Sequence, residues 1–258
     1  ILINYAMNLM NFQYLKETET EVQNKTDIER KYWFDKVPDL IDSLFEANYF
    51  IGWDEWDGTE NAEHNYQVFA NQIFQSVPYT MRAIEMLTKS GYYLESLILT
   101  RSLFEMFVKV RYFSNHKDKC LGYSQGKIKI QYKDMFEELA PGLYKPLYSQ
   151  LLSEISHGGF GISIFHNTVK PPNFISPIDG CFYSDFLSNL PINASTQLFY
   201  GYLNYLPILL YKYKKTVTEE VNQKRLDNLK WLDDRMNDQI SNHPKVKEFY
   251  KLLDPLIR

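Results

Sequence analysis

Gly91–His116 reads GYYLESLILTRSLFEMFVKVRYFSNH, and this stretch decides the fold. Leu94, Leu97, Ile98, Val108 and Tyr112 recur at helical spacing along one side of it. Leu99, Leu103, Met106, Val110 and Phe113 recur along the other. A helix that is apolar on both sides is a buried one, so residues 91–116 are expected to run through the middle of a helical bundle. Two charged residues interrupt the first side. With Arg101 at zero and 100° per residue, Leu94 falls at about 20°, Glu105 at about 40° and Val108 at about −20°. The pair is therefore expected in the middle of an apolar stripe.

The chain upstream reads as helices punctuated by breakers. Residues 1–15 form a short amphipathic helix with Leu2, Ala6 and Leu9 at helical spacing, and KETETEVQNK (16–25) is a polar linker. Thr26 or Asp27 can cap the next helix, and Pro38 breaks or kinks it. The acidic stretch IGWDEWDGTENA (51–62) is a loop whose carboxylates lack the spacing of an EF-hand. Residues 63–88 form a second long helix, and Ser90-Gly91 ends it. So short a connection makes it antiparallel to the central helix.

Downstream, 130–140 and 143–157 read as shorter helices split by Pro141-Gly142. Residues 158–191 hold four glycines and four prolines. They are expected to form a long irregular loop, with Ile162, Ile164 and Val169 making a small strand pair at best. A helix resumes near Ala194 and runs towards Asn222, kinked at Pro207. Leu226, Leu229, Leu232, Met236 and Ile240 then form an apolar stripe, and Pro244 suits the start of a final short helix. The expectation is an all-α protein: 1–25 as helix and linker, 26–222 as an antiparallel bundle, and 223–258 as an amphipathic helical extension.

Composition bounds the function. Of 258 residues 45% are hydrophobic, which is far too apolar for a disordered chain. The net charge of −4 does not favour a DNA binder working through bulk electrostatics, although a local basic patch stays open. Cys120 and Cys181 have no zinc or disulfide-framework spacing, which fits a reducing, cytoplasmic setting. Residues 1–15 lack the basic start and cleavage site of a secretory signal. Phe186–Tyr211 carries no charge, but its asparagines, serines and glutamine favour a buried helix over a membrane span. No Gly-x-Ser-x-Gly elbow, P-loop, dinucleotide fingerprint or His-Glu-x-x-His occurs. Glu154-Ile-Ser-His157 has the ligand spacing of a di-iron bundle, but such a site needs a second Glu-x-x-His, which the chain lacks. No metal or cofactor is expected.

The polar residues on helices carry the functional reading. Burying Arg101 and Glu105 is costly unless they pair. Four residues apart, they can reach each other. Either they form a structural ion pair that fixes helix docking, or they form a polar site that binds a small anionic ligand through Arg101. A second polar group stands where LYKPLYSQLLSEISHGG ends. Its Ser153, Ser156 and His157 lie nearest the irregular loop, and the carbonyl end of the helix favours a cationic His157. The alternative for His157 is a surface C-cap.

LILTRSLFEMFVKVRYF followed by LLSEISHGGFG resembles a bacterial all-helical family of unknown function. That family carries an Arg-Ser-x-x-Glu helix and a later helix ending in Ser-x-x-x-His. The resemblance covers 65–160 and implies a shared polar site of Arg101, Ser102, Glu105, Ser153 and His157. It extends to the wider HEPN-like group, which implies a stress or phage-defence setting and a homodimer. HEPN-like ribonucleases use an Arg and a His with four to six residues between them, which Arg111 and His116, with four between, match. The resemblance then implies metal-independent RNA cleavage. His116 would be the acid/base for a 2′-hydroxyl, and Arg111 would stabilise phosphate charge. A third expectation is a structural or oligomerisation role for the 198–213 and 223–240 helices.

Overall fold

The computed structural model describes residues 12–51, 61–145, 185–212 and 217–242. Every regular element among them is a helix: α1 (Phe12–Glu29), α2 (Lys31–Phe34), α3 (Val37–Ile51), α4 (Ala62–Lys89), α5 (Tyr93–Asn115), α6 (Lys117–Ser124), α7 (Tyr132–Leu139), α8 (Asp185–Lys212) and α9 (Glu219–Asn242). The fold is all-α. No helix among the described residues is long and apolar enough to cross a membrane.

The turn between α4 and α5 follows from Gly91. Its φ is +85°, a left-handed conformation that side chains disfavour. There the Tyr92 amide donates to the Leu87 carbonyl at 2.8 Å and the Gly91 amide to Thr88 at 3.2 Å. These are the two bonds of a Schellman stop, which satisfies the last carbonyls of α4 and reverses the chain. Across the turn the Thr88 and Ser96 hydroxyls meet at 2.7 Å. Gly91→Ala is expected to cost about 1–2 kcal/mol, the penalty of the left-handed backbone. Urea unfolding checks this.

α5 lies in the core. Leu103, Phe107, Val108, Val110 and Phe113 are at most 1% exposed, and they pack with Tyr66 and Phe74 of α4, Phe199, Tyr202 and Leu206 of α8, and Met135 and Phe136 of α7. Tyr202 donates to the Leu103 carbonyl at 2.8 Å, and its ring meets Phe107 and Phe74 edge-on.

Two of the prolines inside helices, Pro78 and Pro207, are used to join them. Pro78 in α4 has no amide to give the Phe74 carbonyl. Asn48 of α3 donates its side-chain amide to that carbonyl at 2.7 Å. Pro207 in α8 likewise releases the Leu203 carbonyl, which accepts from Arg225 of α9 at 3.3 Å. Each helix break thus becomes an interhelix bond. Asn48→Ala is expected to cost about 1–3 kcal/mol by stripping the partner from a buried carbonyl. In a Pro78→Ala background, where the backbone can supply that bond, the cost should shrink. A double-mutant cycle reads the coupling directly.

Several expectations change. Residues 16–25 are not a linker, since α1 runs through them and past residue 25. The stretch is polar, but Val22 and Thr26 are buried, Gln23 bonds Ser90 at 2.9 Å and Tyr92 donates to Glu19 at 2.5 Å. A narrow stripe is enough to dock this helix on the α4–α5 turn. Residues 185–191 belong to α8 rather than to an irregular loop, and Pro191 lies inside the helix. Pro38 starts α3 within its first turn, where the missing amide costs nothing. The 223–240 region is packed on the bundle: Asn228 of α9 donates to Ser43 at 2.7 Å, and Leu232 is fully buried. Its stripe is narrower than expected, because Leu226 is 42% exposed. The first helix over 1–11, the 52–60 loop carboxylates, the 146–184 segment with its strand pair, and the helix after Pro244 lie outside the described residues.

Candidate functional site

Arg101 and Glu105 form the expected pair. The Arg101 Nε donates to Glu105 Oε1 at 2.9 Å, and the two side chains are 19% and 28% exposed. Neither is limited to that contact, since each has a further interaction. Their place on α5 differs from the wheel. Leu97, Val108 and Tyr112 of the surrounding stripe are buried as expected, but Ile98 is 42% exposed and Leu94 only half-buried. The deepest face instead carries Ser96, Thr100, Leu103 and Phe107. Its two hydroxyls are satisfied, Thr100 donating to the Ser96 carbonyl at 2.8 Å. The charged pair therefore stands at the rim of the core, where an ion pair is affordable and solvent still reaches it.

Tyr123 of α6 is the neighbour that sequence spacing did not reveal. Its phenol is held above the ordinary range by burial and, secondarily, by the negative charge of Glu105. The ring of Tyr123 itself packs on Phe113. A guanidinium offers a planar fork of donors suited to a carboxylate or phosphate. Ser153 and His157, the partners implied by the family resemblance, lie outside the described residues.

Arg111 and His116 turn to different neighbours. The Arg111 guanidinium lies 5.3 Å from the Tyr205 ring centre and 5.9 Å from that of Phe107, facing α8. His116 ends α5, lies 4.4 Å from the Tyr112 ring centre, and its Nε2 is 2.5 Å from Glu138 Oε1 of α7. Arg111 thus meets α8, and His116 meets α7. Glu138, 22 residues after His116, carried no motif that could have announced the pairing.

Cys120 is the cysteine among the described residues. It is free and fully buried, and burial pushes its thiol up to about 11 against a smaller opposing effect of Ser124. The thiolate is the nucleophile, so at mildly alkaline pH almost none is present. Native protein is expected to resist alkylation by iodoacetamide at that pH at Cys120, and to react there at an ordinary rate once unfolded. Mass mapping of the labelled peptide checks this. Among the described residues no three His, Cys, Asp or Glu side chains gather as a metal would require.

Compared with known proteins, the chain matches no family model, no curated protein and no solved structure.

Proposed function

We propose that this chain is a helical binding module whose polar site is the Arg101–Glu105 pair, taking a small anionic ligand or the carboxylate or phosphate of a partner. The observation that carries this reading is the half-buried position of the pair on the central helix. A fully exposed pair would be worth little, and a fully buried one would be closed to a ligand. At the rim, Arg101 keeps donors oriented by Glu105 while part of its surface meets solvent. The family resemblance adds a bacterial stress or phage-defence setting and a homo-oligomer to this proposal.

Thermal unfolding in the presence of inorganic phosphate and of adenosine monophosphate tests it. The wild-type midpoint should rise with at least one of them, because a ligand that binds only the folded state stabilises it by mass action. Arg101→Met should abolish the rise. A rise that survives Arg101→Met would place binding elsewhere.

The ribonuclease reading has one favourable feature, the Glu138 carboxylate that orients the His116 imidazole. A carboxylate in that position holds a catalytic histidine in one tautomer and orientation. RNA cleavage by the wild type, lost in His116→Ala and in Glu138→Gln, would establish it. Equal cleavage by wild type and His116→Ala would end it.

A further inference from the structure

We propose that the turn between α6 and α7, residues 126–133, is a docking surface for the phosphate backbone of a single-stranded nucleic acid. It is independent of the Arg101 site. Residues 126–133 hold three lysines and no acidic residue, in a chain whose net charge is −4.

The turn is built rather than loose. α6 ends in a second Schellman stop, with Gly126 at φ +69° and the Lys127 amide donating to the Gly122 carbonyl at 2.8 Å. The Ile128 side chain lies over Gly122 so closely that an added Cβ would come within 2.6 Å of it. Ile130 packs against the core. Lys127 and Lys129 are exposed, as is Lys133 in the first turn of α7.

The lysines elsewhere on the surface often have acidic partners: Lys31 with Asp35, Lys36 with Asp39, Lys89 with Asp27, Lys117 with Glu63 and Lys224 with Glu46. Lys127, Lys129 and Lys133 have none among the described residues. Lys133 also stands in the first turn of α7, the positive end of the helix, where cations are disfavoured and anions favoured. Asp134 is the one acid in that first turn, and Gln131 gives no side-chain cap. A bound phosphate chain would relieve this repulsion. Between the lysines stands Ile128, 41% exposed, while the half-buried Tyr132 ring packs towards Phe136 and Tyr144. Exposed apolar surface between cations suits unstacked bases better than a closed duplex.

Fluorescence anisotropy of the full chain with labelled oligo(U) and oligo(dT) across a salt titration tests the proposal. Three lysine–phosphate contacts on a single strand predict a log–log salt slope of about −2, so ten-fold more salt costs about a hundred-fold in affinity. The Lys127→Gln, Lys129→Gln, Lys133→Gln variant should keep the wild-type circular dichroism spectrum and lose most of that slope. Binding of either oligonucleotide with these properties supports the proposal, and a preference for oligo(U) assigns the RNA sugar to it. Binding lost in Arg101→Met but kept in the triple variant would assign the oligonucleotide to the Arg101 site and overturn the proposal. No wild-type binding at low salt, an unchanged slope in the triple variant, or binding to phosphatidylserine vesicles without binding to either oligonucleotide would overturn it.

Discussion

Tyr202→Ala is expected to destabilise the protein by about 3–5 kcal/mol, the range for removing a large buried aromatic. Tyr202 is fully buried on α8, and its ring meets Phe74 of α4 at 5.5 Å and Phe107 of α5 at 5.2 Å between centres. Its hydroxyl also bonds the Leu103 carbonyl. One side chain therefore fastens three helices, and none of the three can close the space by itself. Tyr202→Phe keeps the rings and loses only the hydroxyl, so it should cost about 1 kcal/mol. Urea unfolding of both variants separates packing from hydrogen bonding. Equal losses would mean that the hydroxyl, not the ring, holds the junction.

The second large effect is expected at Trp33. α2 is only four residues long, and Trp33 and Phe34 are its buried side chains. Trp33 is 1% exposed, and its indole nitrogen donates to the Thr196 hydroxyl at 3.1 Å, across 163 residues of sequence. Its ring meets Phe34 edge-on at 4.9 Å. Trp33→Ala should cost about 3–5 kcal/mol. It should also release the corner between α1 and α3 before the bundle opens, because no regular backbone ladder of useful length holds α2. Hydrogen exchange should speed up at residues 30–36 well beyond the global change. An increase shared evenly by every helix would contradict that local role.

Much of the fold was legible where sequence signals are local. Gly91 marked the turn between α4 and α5, and the two-sided apolarity of 91–116 marked a central helix. Signals failed where tertiary partners replace local ones. Pro78 drew no attention in the sequence, and only the distant Asn48 makes it tolerable. The polar run 16–25 forms a helix because Val22, Thr26 and a few side-chain bonds dock it. On α5, hydropathy counts Ser96 and Thr100 as polar, yet their hydroxyls bond within the bundle and line its deepest face. That shifted the expected core by part of a turn and left Arg101 and Glu105 at the rim. The pair itself was legible from its spacing of four. Tyr123 and Glu138 were not, since nothing in sequence separation predicts which helix packs beside which.

The binding role of Arg101–Glu105 is tested most directly by thermal unfolding of an Arg101→Met, Glu105→Leu variant, with and without phosphate and adenosine monophosphate. Replacing a largely buried ion pair by apolar side chains of similar size is commonly neutral or stabilising, and sites kept for function are often not optimal for stability. The predicted result is a midpoint in buffer equal to or above that of the wild type, together with loss of the ligand-induced rise. A variant that melts far below the wild type, beside a wild type that neither ligand stabilises, would mean that the pair exists to dock helices and that the binding reading is wrong.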